Sequence, residues 1–224
     1  MTLSADIRDF FSDPMIVESI IKELNEEIVY CPILRNLSAE LNVGIIDTDQ
    51  IKFSELGKED RNEVFVYLGR ILERVLTCKL KVSGRFNVKK DRTSSGDLTI
   101  EDIDKIIKMI WEIKGTSGNN SWTGSTHASK KEDSSIDFIG IKYGINKNAN
   151  IFQVISGQVN LIDEIFIGVF DNLTFIRRGS ATKSNSRTSL LISVDDYDKV
   201  KEQVAWGNFR KPGNNGKYLQ LETA

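Results

Sequence analysis

Three residues near the middle of the chain have the types and the spacing to do chemistry together: Asp97, Glu112 and Lys114. Asp97 opens the short apolar run Leu98-Thr99-Ile100, and Glu112-Ile113-Lys114 closes a longer run that begins near Lys105. The polar stretch from Glu101 to Lys105 lies between them, which predicts a β-hairpin. Alternate residues of an extended strand share a face, so Lys108, Ile110, Glu112 and Lys114 fall on one side and Ile107, Met109, Trp111 and Ile113 on the other. At about 3.3 Å rise per residue, Glu112 and Lys114 then sit roughly 7 Å apart and face the same way. A hairpin that sets position 97 against position 112 has its midpoint between residues 104 and 105, in the polar connection. Two carboxylates and an ammonium gathered at one end of a hairpin suit a hard, oxygen-seeking cation such as magnesium. An ion pair on an edge strand, with Asp97 as a turn residue, is the plainer alternative.

The residues after Lys114 extend the picture. Gly115 to Lys131 is dense in Gly, Ser, Thr and Asn, groups that bond phosphates and base edges and that also build ordinary loops. Within it Asn119, Asn120, Lys130 and Lys131 have the chemistry to grip or read DNA. Trp122 can stack on bases or pack in the core, and His127 can contact DNA or simply bond its own loop. Further on, Arg177, Arg178, Lys183 and Arg187 place four positive charges and no acid in eleven positions, the pattern of a phosphate clamp or of a solvated hairpin tip. Lys79 to Arg92, with six basic residues against Asp91, would extend the same surface.

The Asp97 and Glu112-Ile113-Lys114 pattern resembles the PD-(D/E)xK nuclease superfamily, with Gly96-Asp97 standing where the family often has Pro-Asp. The likeness spans roughly residues 59 to 170. It implies a mixed α/β sheet flanked by helices, as in restriction endonucleases. It also implies that magnesium is held by Asp97, Glu112 and the Ile113 carbonyl, with Lys114 beside the attacking water. A further carboxylate on the helix before the hairpin is common in the superfamily, and Glu63 or Glu73 could supply it here. Among its members the chain looks most like a type II restriction endonuclease. Such an enzyme is a magnesium-dependent, site-specific nuclease of double-stranded DNA that works as a homodimer and leaves 5′-phosphate and 3′-hydroxyl ends. Two-fold symmetry in the protein would then match a palindromic site. A repair or junction-resolving nuclease of the same superfamily, or a non-catalytic DNA-binding module, is the alternative.

These residues must be held by the surrounding elements. From Asp6 to about Glu27 apolar residues recur at helical intervals, interrupted at Pro14, and they do so again from Lys58 to Leu76. From about Lys79 the texture becomes β-rich, with strands expected at Leu80 to Val82, Asp97 to Ile100, Lys105 to Lys114, Ile136 to Gly144, Ile162 to Phe170 and Ser189 to Val194. A last helix is expected from Asp195 to Val204. The 224 residues suit a single nuclease domain, with a helical amino-terminal part over residues 1–57 and a catalytic core with DNA-binding loops over residues 58–224.

Composition narrows the chemistry. One histidine, His127, and two separated cysteines, Cys31 and Cys78, exclude a Cys/His zinc site, so carboxylates must carry any metal. The cysteines read as small core residues. A covalent-histidine phosphodiesterase of the His-x-Lys type fails on spacing, since Lys130 comes one position late after His127. The net charge of −2 hides an uneven distribution: through Glu63 there are 14 acids and 6 bases, and thereafter 18 acids and 24 bases, so the later part is the one suited to phosphate. No apolar run reaches the roughly 20 residues of a membrane span, and no hydrophobic leader opens the chain, so a cytoplasmic location is expected.

Overall fold

Pro14 divides the first amphipathic run into two helices. Helix α1 (Leu3–Phe11) is capped by the Thr2 hydroxyl, and α2 (Pro14–Ile28) starts with proline in its first turn and with the Asp13 carboxylate accepting from the Met15 N–H. This is where proline fits a helix, because its missing N–H is one that the first turn leaves unbonded. The computed structural model of the protein describes residues 2–41, 51–90, 98–102, 108–118, 122–124, 136–173, 176–178, 188–213 and 216–224. A third helix, α3 (Pro32–Leu41), which was not expected, has Ile33, Leu34 and Leu37 at helical spacing, and a short 3₁₀ turn (Phe53–Glu55) leads into α4 (Lys58–Val82).

Helix α4 is longer than its sequence suggested. Leu80, expected in a strand with Val82, follows Leu76 by one helical repeat and is buried on the same face as Val64, Leu68, Leu72 and Val75. Lys79 and Lys81 lie in the last turn, where positive charge suits the helix dipole, and Lys79 pairs with Glu23 of α2. Both effects favour helix over the strand. Cys78 on this helix is exposed, whereas Cys31 is buried, so only one of the two cysteines is a core residue.

The β-rich part follows as β1 (Phe86–Lys90), β2 (Leu98–Asp102), β3 (Lys108–Thr116), β4 (Trp122–Gly124), β5 (Ile136–Ile145), α5 (Ile151–Ile155), β6 (Ile162–Leu173), β7 (Ile176–Arg178) and β8 (Thr188–Leu191). The expected last helix is a single α turn, α6 (Tyr197–Val200), between 3₁₀ turns, and Val204 opens a strand instead. Val200 is its one fully buried anchor, and without a repeating apolar stripe a longer helix has nothing to pack. Short strands β9 (Val204–Trp206), β10 (Asn208–Arg210) and β11 (Gln220–Glu222) complete the chain.

Six strands form one mixed sheet in the order β1-β2-β3-β5-β6-β9, with β3 and β5 parallel and the other neighbours antiparallel. The mixed α/β class is therefore as expected. One face packs against α1, α2 and α4 through a continuous core that includes Phe86, Leu98, Ile100, Ile113, Ile139, Ile141, Ile165 and Ile167. The other face, over β5 and β6, carries a second cluster built on Trp122, Phe138, Phe166, Phe170 and Phe209. A three-stranded sheet, β4-β8-β7, and the β10-β11 hairpin supply residues to this cluster. Asn25 fastens the helices to the sheet: its side-chain oxygen accepts from the Leu161 and Ile162 N–H groups at 2.9 and 3.0 Å, and its amide donates to the Ile162 carbonyl at 2.8 Å. Among the described residues, no helix is long and apolar enough to cross a membrane.

Candidate active site

The hairpin with the acid and lysine grows out of α4. The helix ends at Ser83, whose N–H bonds the Lys79 carbonyl, and Gly84 at φ 67° takes the left-handed conformation that turns the chain into β1. Strands β2 and β3 then pair Leu98 with Trp111, Thr99 with Ile110, Ile100 with Met109 and Glu101 with Lys108. This is the register in which the sequence sets positions 97 and 112 together. Asp97 itself lies outside the described residues, as do Asn119, Asn120, His127, Lys130, Lys131, Lys183 and Arg187.

Glu112 and Lys114 are in β3 on either side of Ile113. Ile113 is buried in the helix-side core, so strand alternation puts positions 112 and 114 on the opposite face of the sheet. Across the parallel ladder they sit beside Phe138 and Gly140 of β5. On the β1-β2 side the same face is polar: Glu101 accepts from the Asn87 amide at 3.0 Å and pairs with Lys89 at 3.4 Å, and Thr99 is buried close by in sequence. Positions 112 and 114 thus occupy the seam between a polar half and an aromatic half of one sheet face.

Trp122 forms part of the aromatic wall of that seam. Its ring is 1% exposed, its indole N–H donates to the Ile141 carbonyl at 3.1 Å, and it packs on Phe138 and Phe170 with ring centroids 5.3 and 5.6 Å away. Gly140 makes room for it, since a Cβ there would lie 2.8 Å from two indole carbons. A tryptophan buried among phenylalanines offers no surface to a base, which favours core packing over base stacking, the two roles that its sequence left open. The signal was in the sequence: a glycine inside the apolar run of β5 marks a close approach by another group.

The small sheet ties the basic segment to this wall. Trp122 and Arg177 both stand opposite Leu190, on either side of it, whereas Arg178 stands opposite Ser189.

The carboxylate expected from the preceding helix is placed elsewhere. α4 packs on the Ile113 face, across the sheet from positions 112 and 114, so neither Glu63 nor Glu73 is brought beside them by it. Glu63 is exposed, and its charge reaches the Cys31 thiol, which burial above all pushes to a higher pKa and Glu63 raises further. Among the described residues no group of three histidine, cysteine or acidic side chains is arranged to hold a metal. A carboxylate at position 112 and the main-chain oxygen of Ile113 are nonetheless the donor types that a hard divalent cation takes. No protein-family model matches this chain, and no curated protein matches it either.

Proposed function

We propose that the protein is a magnesium-dependent endonuclease of double-stranded DNA, of the type II restriction kind, acting as a homodimer. The observation that carries this reading is the β2-β3 register, in which Leu98 stands opposite Trp111: continued by one step, it would set position 97 against position 112, two residues before position 114 in β3. The basic segment beginning at Arg177 and Arg178, in the small sheet that also holds Trp122, supports a phosphate-binding surface near this seam.

In this reading Asp97, Glu112 and the Ile113 carbonyl hold magnesium, which supplies Lewis-acid polarisation of the scissile phosphate. Two carboxylates held close repel one another, so Asp97 and Glu112 would both stay charged more readily with a divalent cation bound. The Lys114 ammonium donates hydrogen bonds, first orienting the attacking water and then stabilising negative charge that grows on the phosphoryl oxygens. The aromatic wall beside position 114 excludes water from that side, which strengthens each charge interaction at the seam. Supercoiled plasmid incubated with the protein and magnesium tests the proposal. Defined linear fragments that disappear with Glu112→Ala and with excess EDTA are expected, whereas an intact plasmid, or cleavage that persists in Glu112→Ala, would overturn it.

A further inference from the structure

A separate cavity of about 430 Å³ lies on the helix side of the sheet, bounded by the start of α4, the Phe53–Glu55 turn and the end of β5. Its volume is in the range of small-molecule sites. Phe53, Phe65 and Ile145 make it apolar, the two phenylalanine rings standing edge-on with centroids 6.0 Å apart. Arg61 and Lys147 add two cations, and no carboxylate is among the described lining residues. One Arg61 guanidinium nitrogen donates to the Ser54 carbonyl at 3.1 Å, one of the five N–H donors that a guanidinium carries. Lys142 also lines the cavity, but its ammonium bonds the Leu221 carbonyl at 2.6 Å and is committed there.

Tyr143 lines the cavity too, and it supplies the second observation. It is 2% exposed, and its hydroxyl has no hydrogen-bond partner among the described residues. The ring is seated against Gly115, where a Cβ would come within 2.3 Å of the phenol oxygen. Burial raises its pKa, keeping the hydroxyl protonated and a donor at neutral pH. A buried donor without a partner costs free energy, which a ligand with an acceptor atom would offset.

We propose that this cavity binds a small aromatic anion of the nucleoside monophosphate class, with its ring against Phe53 and Phe65, an acceptor atom at the Tyr143 hydroxyl, and its phosphate between Arg61 and Lys147. Two cations match the charge of about −2 on a phosphate monoester. The site is on the other side of the sheet from positions 112 and 114, and it stands or falls independently of the nuclease reading.

Calorimetric titration of the full chain in EDTA tests it, with deoxyadenosine 5′-monophosphate, deoxyadenosine and inorganic phosphate as probes. The nucleotide is expected to bind at least about tenfold more tightly than either fragment. Arg61→Gln, Lys147→Gln and Tyr143→Phe should each weaken it by about three- to tenfold while thermal unfolding stays within a few degrees. Lys147 is exposed, so its variant keeps the test sound even if another fails to fold. Two oligonucleotides, with and without a 5′-phosphate, separate the sources of the ligand. A preference for the phosphorylated end that Arg61→Gln abolishes assigns a DNA terminus, and equal binding of both assigns the free nucleotide. Nucleotide binding no tighter than that of phosphate, or unchanged in all three variants, overturns the proposal.

Discussion

The two faces of the six-stranded sheet are built to different ends. On the helix side, residues from β1, β2, β3, β5 and β6 contribute to one continuous apolar core, with Val88, Ile100, Ile139 and Val169 each at most 5% exposed. On the other side, among the described residues, the apolar cluster lies over β5 and β6, and β1 and β2 carry Asn87, Lys89, Thr99 and Glu101. A face that is covered throughout can stabilise the fold but cannot reach a substrate. By strand alternation positions 112 and 114 fall on this second face, between those polar residues and the aromatic cluster. The comparison teaches that the proposed chemistry depends on the seam and the stability on the opposite surface.

Substitutions can break this division. Ile139→Ala, in the helix-side core, should lower unfolding free energy by about 2–5 kcal/mol in a denaturant titration while leaving cleavage by the folded protein within a few-fold. Lys114→Ala should do the opposite, reducing the cleavage rate by about 10²–10³ with stability changed by no more than about 0.5 kcal/mol. Comparable losses of stability in both variants would end the distinction between the faces. Gly140→Ala falls between them. Its Cβ meets the Trp122 and Phe138 rings at 2.8 Å, and overpacking of this kind costs about 1–3 kcal/mol, read in the same titration. Because Gly140 is the β5 partner of Lys114, its cleavage rate should fall as well.

Two smaller effects sharpen the contrast. Burial raises the Tyr143 phenol above its ordinary value near 10, so the unfolded chain loses this proton first as the solution becomes alkaline. Its contribution to stability is constant below about pH 10 and declines above it, and unfolding curves of Tyr143→Phe should lack that part of the alkaline decline. On the polar half, Lys89→Ala should change stability by less than about 1 kcal/mol, because the Lys89 side chain is 63% exposed and its pair with Glu101 is screened by water.

Much of this arrangement was legible in the sequence because alternation is a strong constraint. Once Ile113 and Trp111 were assigned to one face, Glu112 and Lys114 had to share the other, and a turn between residues 101 and 105 allowed only a narrow choice of register. The helices were legible for the same reason, with Pro14 as punctuation. Helix α3, with Ile33, Leu34 and Leu37 at helical spacing, and β1, with Phe86 and Val88 alternating, carried a period and still escaped, whereas most of the rest was too short or too local to carry one. Strands β4, β7 and β9 to β11 are three residues each, and a three-residue strand has no alternation to read. The end of α4 was misread because Leu80-Lys81-Val82 alternates like a strand when seen alone, and only its spacing from Leu76 reveals the helix. Trp122 was ambiguous because its surroundings in sequence are polar, whereas its surroundings in space, Phe138 and Phe170, come from strands far along the chain.

Binding of manganese, a paramagnetic stand-in for magnesium, tests the meeting of positions 97 and 112 most directly. Electron paramagnetic resonance titration of the wild-type chain should show a bound ion that is lost in Asp97→Ala and, separately, in Glu112→Ala, while both variants stay folded. Manganese binding that is the same in either variant as in the wild type would contradict the account, because the two carboxylates would then share no ion.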